Sequence, residues 1–134
     1  MAPQSSAVVS GQDGTATQYN NLRNDVLLGL KVVTTVADAA TMTIDLSLGN
    51  IFELGPLTAN RTIALSNETT NQFFLLYLIQ DGTSGRTVTW FSTITWRGTG
   101  GLAPILSTSA NAVDVFLIRR TGSGTYDGWI VSQG

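Results

Sequence analysis

The chain contains no cysteine and no histidine. Together these absences remove disulfides, thiol nucleophiles, Cys/His zinc sites, Ser-His-Asp triads and imidazole acid/base catalysis. Charge is scarce too, at 12% of residues, about half of the ~25% usual in soluble domains. With 7 basic against 9 acidic side chains, there is no cationic surface large enough to neutralise a run of phosphates, so nucleic acid is not an expected partner. No apolar run approaches the ~20 residues of a membrane span; the longest, Phe73 to Ile79, has the length of a strand. The start, Met1-Ala2-Pro3-Gln4-Ser5-Ser6, lacks the basic and apolar regions of a secretory signal, and the expectation is a soluble product of the cytoplasm with no membrane partner.

What is present points to β-structure. The 134 residues are 43% hydrophobic and include 14 glycines, with serine and threonine abundant, which suits one compact domain rich in strands and turns. Residues 1–14 are small and polar and read as an extended anchoring arm. From Thr15 the pattern becomes helical. Thr15 or Asp13 can cap a helix, and Ala16, Tyr19, Leu22, Val26 and Leu30 recur at spacings of three and four, so residues 15–30 are expected to form one amphipathic helix. Its stripe packs either on the protein's own sheet or, with Tyr19, Leu22, Val26 and Leu30 as oligomerisation residues, on copies of itself at a symmetry axis.

Residues 31–134 change to a period of two. Met42, Ile44, Leu46 and Leu48 alternate with Thr41, Thr43, Asp45 and Ser47, giving one buried and one wet strand face. Gly55-Pro56 and Ala59-Asn60 suit turns between short strands. Phe73 to Ile79 is apolar at every position, as in a strand buried on both faces or one whose second face meets another subunit. Asp81 to Gly85 is expected to close a hairpin into Arg86 to Trp90, and Thr121 to Thr125 a second hairpin joining the Ala112–Ile118 and Tyr126–Ser132 strands. Eight or nine strands without intervening helices predict a mainly β fold, an antiparallel β-sandwich or jelly roll preceded by the arm and one short α-helix. No period of 20 to 50 residues stands out, so a solenoid is not expected.

Little in the sequence points to catalysis. The carboxylates Asp13, Asp25, Asp38, Asp45, Glu53, Glu68, Asp81, Asp114 and Asp127 are the remaining acid/base candidates, and nothing in their placement selects a catalytic pair. Asp114 stands out within an apolar strand near Arg119 and Arg120, where an ion pair or an outward position accounts for it. Gly82-Thr83-Ser84-Gly85 and Gly98-Thr99-Gly100-Gly101 lead into no helix and lack a Gly-Lys-Ser/Thr ending, so they are loop glycines and not a phosphate cradle. No enzyme activity, cofactor or metal is expected. Among the aromatics, Trp96 followed by Arg97 and the glycine loop is placed nearest the surface, and Trp96 and Arg97 are the candidate surface-binding residues.

Leu57 to Ile63, Gln80 to Trp90, Trp96, Pro104 to Thr108, Asn111 to Phe116 and Tyr126 to Trp129 together resemble a β-module that recurs in tail-fibre, head-fibre and other virion-associated proteins of tailed bacteriophages. Ala16 to Val26 is similar to a helical segment near the start of such proteins. Phe91 stands where the related pattern often has proline. The resemblance implies no catalytic residues. It implies a virion structural protein made in the host cytoplasm: a surface decoration, spike or fibre component. Such a protein is expected to form a homotrimer and to join other virion proteins through the arm. The alternative is a carbohydrate- or receptor-binding β-module at a fibre tip, with a host-surface glycan as partner.

Overall fold

The computed structural model describes residues 15–31 and 33–134, with side chains in the helix described as far as Arg23. The expected 1–14 arm lies outside the described residues. A helix α1 (Ala16–Lys31) is followed by nine strands: β1 (Val33–Val36), β2 (Thr41–Asp45), β3 (Ile51–Leu57), β4 (Arg61–Ser66), β5 (Phe73–Gln80), β6 (Val88–Thr89), β7 (Ile94–Trp96), β8 (Val113–Gly122) and β9 (Thr125–Ser132). A single turn of 3-10 helix (Leu46–Leu48) follows β2. Helix α1 begins at Ala16 and is capped by Thr15, one of the two residues expected to do so. The Thr15 hydroxyl accepts from the Gln18 amide at 3.1 Å, and the Thr15 amide donates to Gln18 Oε1 at 2.8 Å, so two otherwise orphaned amides are satisfied reciprocally.

The mainly β, sandwich-like architecture agrees with the sequence. Six strands form one sheet in the order β1-β3-β5-β8-β9-β7, and three form the other in the order β2-β4-β6. The strand direction differs from expectation. Pairings β1–β3, β3–β5, β2–β4, β4–β6 and β7–β9 are parallel, and only β5–β8 and β8–β9 are antiparallel among the described residues. The chain therefore does not fold back on itself between β1 and β6. It passes from the six-stranded to the three-stranded sheet and back, so that β1–β2, β3–β4 and β5–β6 are three successive coils. This is the winding of a short solenoid, which the sequence reading set aside.

The connections explain why the chain crosses between layers instead of reversing. Between β5 and β6, Asp81 Oδ1 accepts from the amides of Thr83 (3.0 Å) and Ser84 (2.7 Å), and Ser84 and Gly85 take left-handed conformations. The buried Gln80 side chain then binds Arg86 in both directions: its Nε2 donates to the Arg86 carbonyl and its Oε1 accepts from the Arg86 amide, each at 2.9 Å. Asp81 to Gly85 is thus a crossover, and the expected hairpin into Arg86 to Trp90 does not form. Successive crossovers are also bonded to one another. Asp38, after β1, accepts from Thr58 and Arg61 around the second crossover, and Asn60 in turn accepts from the Thr87 amide of the third. Gly55-Pro56, expected in a turn, lies within β3. The second expected hairpin, β8 to β9, is present and supplies the antiparallel end of the large sheet.

The core lies between the two sheets. Met42, Ile44 and Ile63 from the small sheet meet Phe52, Leu54, Phe74, Leu76, Phe116 and Ile118 from the large one, all at 1% exposure or less. Leu48, expected to share the buried face of β2, is exposed because the chain has already turned into the 3-10 helix. An aromatic cluster closes one side of the core, where Trp90 contacts Trp96 and Phe116 edge-on at ring separations of 5.0 and 5.3 Å.

Candidate functional site

Trp96 is not a surface residue. It is 3% exposed and packs on Trp90 and on Phe116, whose ring centre is 5.6 Å away. It is the last residue of β7, where the side chains of Ile94 and Trp96 point inward and Thr95 outward. The glycine loop that suggested exposure starts only after it. Arg97 is exposed, and its guanidinium is held by Asp127 Oδ1 through Nε at 3.0 Å and Nη2 at 2.8 Å. The structure therefore separates the two residues proposed as one binding element. Of the oligomerisation stripe, Tyr19 and Leu22 are exposed at 67% and 55%; the side chains of Val26 and Leu30 lie outside the described residues.

Asp38, Asp45, Glu68, Asp81, Asp114 and Asp127 are engaged in the fold. Buried Asp114 accepts from the Ser107 amide and hydroxyl, both at 2.6 Å, and from the Gly134 amide at 3.1 Å, so its partners are these groups and not Arg119 or Arg120. Glu68 accepts from Arg120 Nε at 3.1 Å and from the Tyr126 hydroxyl at 2.8 Å; burial, reinforced by this bond to the carboxylate, raises the Tyr126 pKa. The hydrogen bond from Arg61, aided by Thr58, holds Asp38 down at about 2. Asp81 is lowered chiefly by the hydrogen bond from Arg86, and Asp45 by that from Ser47. No cluster of three or more metal-ligating side chains occurs among the described residues.

One surface departs from ordinary β-sandwich patterning. The outer face of the large sheet should be polar if water covers it, yet register places Val33, Ile51, Leu75, Leu117 and Trp129 in one row across five strands. The next row holds Thr35, Glu53, Tyr77 and Val115, and beyond it Ile79 pairs with Val113. On the other side of the apolar row, Phe73 pairs with Arg119. Phe73 and Val33 are exposed at 46% and 45%, and Leu75, Tyr77 and Ile79 are half-buried. The apolar run of β5 thus has one face in the core and the other on the surface, so it is not a strand buried on both faces.

No protein-family model, curated protein or solved structure matches the chain.

Two charged residues interrupt this face, and both lack an opposite charge. Glu53 is the only carboxylate without a hydrogen-bond or ion-pair partner among residues whose side chains are described. In the strand domain, Arg61, Arg86, Arg97 and Arg120 each bridge to a carboxylate. Arg119 does not. Its Nη2 donates to Asn71 Oδ1 at 3.0 Å, its guanidinium carbon sits 5.6 Å from the Phe73 ring centre, and its Nε is buried without a partner. In the sequence, Glu53 is one carboxylate among nine and Arg119 a neighbour of Asp114, and nothing there links the two. Only the register shows that they share one apolar surface.

Proposed function

We propose that the chain is a structural subunit of a tailed-bacteriophage particle, a surface decoration, spike or fibre component that assembles with copies of itself. The observation that carries the self-assembly is the apolar outer face of the large sheet, since a contiguous patch of this kind on a soluble domain marks an interaction surface. The virion assignment rests on the resemblance of residues 56 to 131 and of Ala16 to Val26 to phage virion modules. Attachment to other virion proteins is assigned to the arm, residues 1–14. The reading gives the chain no catalytic role, in keeping with the absence of histidine and cysteine. Of the residues named for the carbohydrate-binding alternative, Trp96 lies in the core, while Arg97 is exposed and held by Asp127.

Tailed-phage particles purified from the lysate in which the chain is made test this reading. Immunogold labelling and quantitative mass spectrometry should place the chain on the particle surface in a fixed number of copies. Purified particles that lack the chain would refute the assignment.

A further inference from the structure

Glu53 and Arg119 sit on one face but cannot meet within one chain. Glu53 is level with Tyr77 of β5, Arg119 is level with Phe73, and β3 and β8 flank β5 on opposite sides. At about 4.8 Å between strands and 3.3 Å per residue, their backbones are roughly 16 Å apart. The midpoint of the line joining them falls on Leu75, within the row formed by Ile51, Leu75 and Leu117.

We propose that this face binds a second copy of the same chain across a two-fold axis lying in the interface through Leu75, with Glu53 of each copy paired to Arg119 of the other. The inference specifies the self-association in the function proposed above; it does not depend on the virion assignment. A two-fold axis in the plane of contact and perpendicular to the Glu53–Arg119 diagonal exchanges the two positions. It brings each unpaired carboxylate over an unpaired guanidinium twice per dimer, while the apolar row packs on itself. An isologous interface requires such self-complementarity. Covering an unpaired ion is costly unless the partner supplies an opposite charge, and this arrangement supplies one to both Glu53 and Arg119. The face measures roughly 24 by 20 Å from its five strands and the span from Phe73 to Ile79, toward the small end of specific interfaces, so association is expected at micromolar concentrations.

The test is sedimentation equilibrium of the full chain from about 5 to 500 µM, a range that brackets a micromolar dissociation constant. The wild type should approach twice the 14.2 kDa chain mass. Glu53→Arg and Arg119→Glu each place like charges opposite one another at two points of the interface and should weaken dimerisation by roughly tenfold or more. The double variant restores both pairs and should recover wild-type association. An equimolar mixture of the two single variants should form a heterodimer, because one copy then carries two arginines and the other two glutamates. Circular dichroism and thermal midpoints check folding; if Arg119→Glu fails to fold, Arg119→Gln retains the donor to Asn71 and should still weaken the dimer. A monomer throughout the range, a limiting mass of three chains, or association unaffected by these substitutions would overturn the two-fold interface. A dimer that never enters particles would leave this inference standing and refute the virion reading; a monomeric particle component would do the reverse.

Discussion

Gly128 of β9 lies directly beside the indole of Trp96, its register partner on β7. A Cβ at position 128 would come within 2.8 Å of the Trp96 ring carbons Cε3 and Cζ3, and equally close to Ile94 Cγ2. The missing side chain therefore makes room for the tryptophan to turn inward. Gly128→Ala should destabilise the domain by about 1–3 kcal/mol through overpacking, as the ring cannot move without disturbing Trp90 and Phe116. Urea denaturation measures this, and a midpoint unchanged from wild type would show that the cluster yields freely.

Trp96→Ala is the complementary change. Removing a ring that is 3% exposed should cost about 3–5 kcal/mol, the range for truncating a buried aromatic residue. The same denaturation experiment decides between this and a surface role, for which stability would hardly change.

Asp38 gives the fold a defined acid sensitivity. Its folded pKa of about 2 lies below the 3.8 of a free aspartate because Arg61 and Thr58 bind the ionised form. Its contribution is accordingly complete above pH ~4 and is lost as pH falls toward 2, where the folded chain must take up the proton that the unfolded chain already holds. Asp38→Asn should lower stability at neutral pH and make the decline between pH ~4 and ~2 shallower. Urea midpoints measured across that window compare the two slopes; parallel curves would show that Asp38 does not govern the decline.

Asp114 ties the loop before β8 to the end of the chain. Asp114→Ala would leave the Ser107 amide and hydroxyl and the Gly134 amide without their acceptor, and should cost about 2–4 kcal/mol. Amide exchange offers a second readout, with Ser107 and Gly134 expected to lose protection before the β5–β8 ladder does.

Deletion of residues 1–13, leaving a chain that begins at Gly14, should change the thermal midpoint by only a few degrees, since the segment has few large apolar residues beyond Val8 and Val9 to bury. Under the virion reading it should abolish incorporation into particles. Truncated chains that incorporate normally would place the attachment elsewhere.

Strands were legible where a single side-chain period ran long enough, as in Met42-Thr43-Ile44 or the apolar run of β5. Their direction was not, because a turn sequence such as Asp81 to Gly85 marks a change of course without saying where the chain goes next. The deciding contacts there are Gln80 with Arg86 and Asn60 with Thr87, the second a pair far apart in sequence. The coils also differ in length, so no fixed repeat is visible: Val33 pairs with Ile51, but Ile51 pairs with Leu75. Trp96 was misplaced for a local reason, as the loop after it was visible and the space left by Gly128 was not. Glu53 and Arg119 became a candidate pair only once the register of β3, β5 and β8 was known.

The winding of β1 to β6 also sets the unit in which such a chain could grow. Inserting one whole coil would add a strand to each sheet and return the chain to the layer it left, so the closing β8–β9 hairpin would still meet a strand of the same sheet. Inserting half a coil would deliver that hairpin to the wrong layer. Lengthening the molecule is therefore a matter of whole turns, with the helix and the terminal hairpin serving as fixed ends.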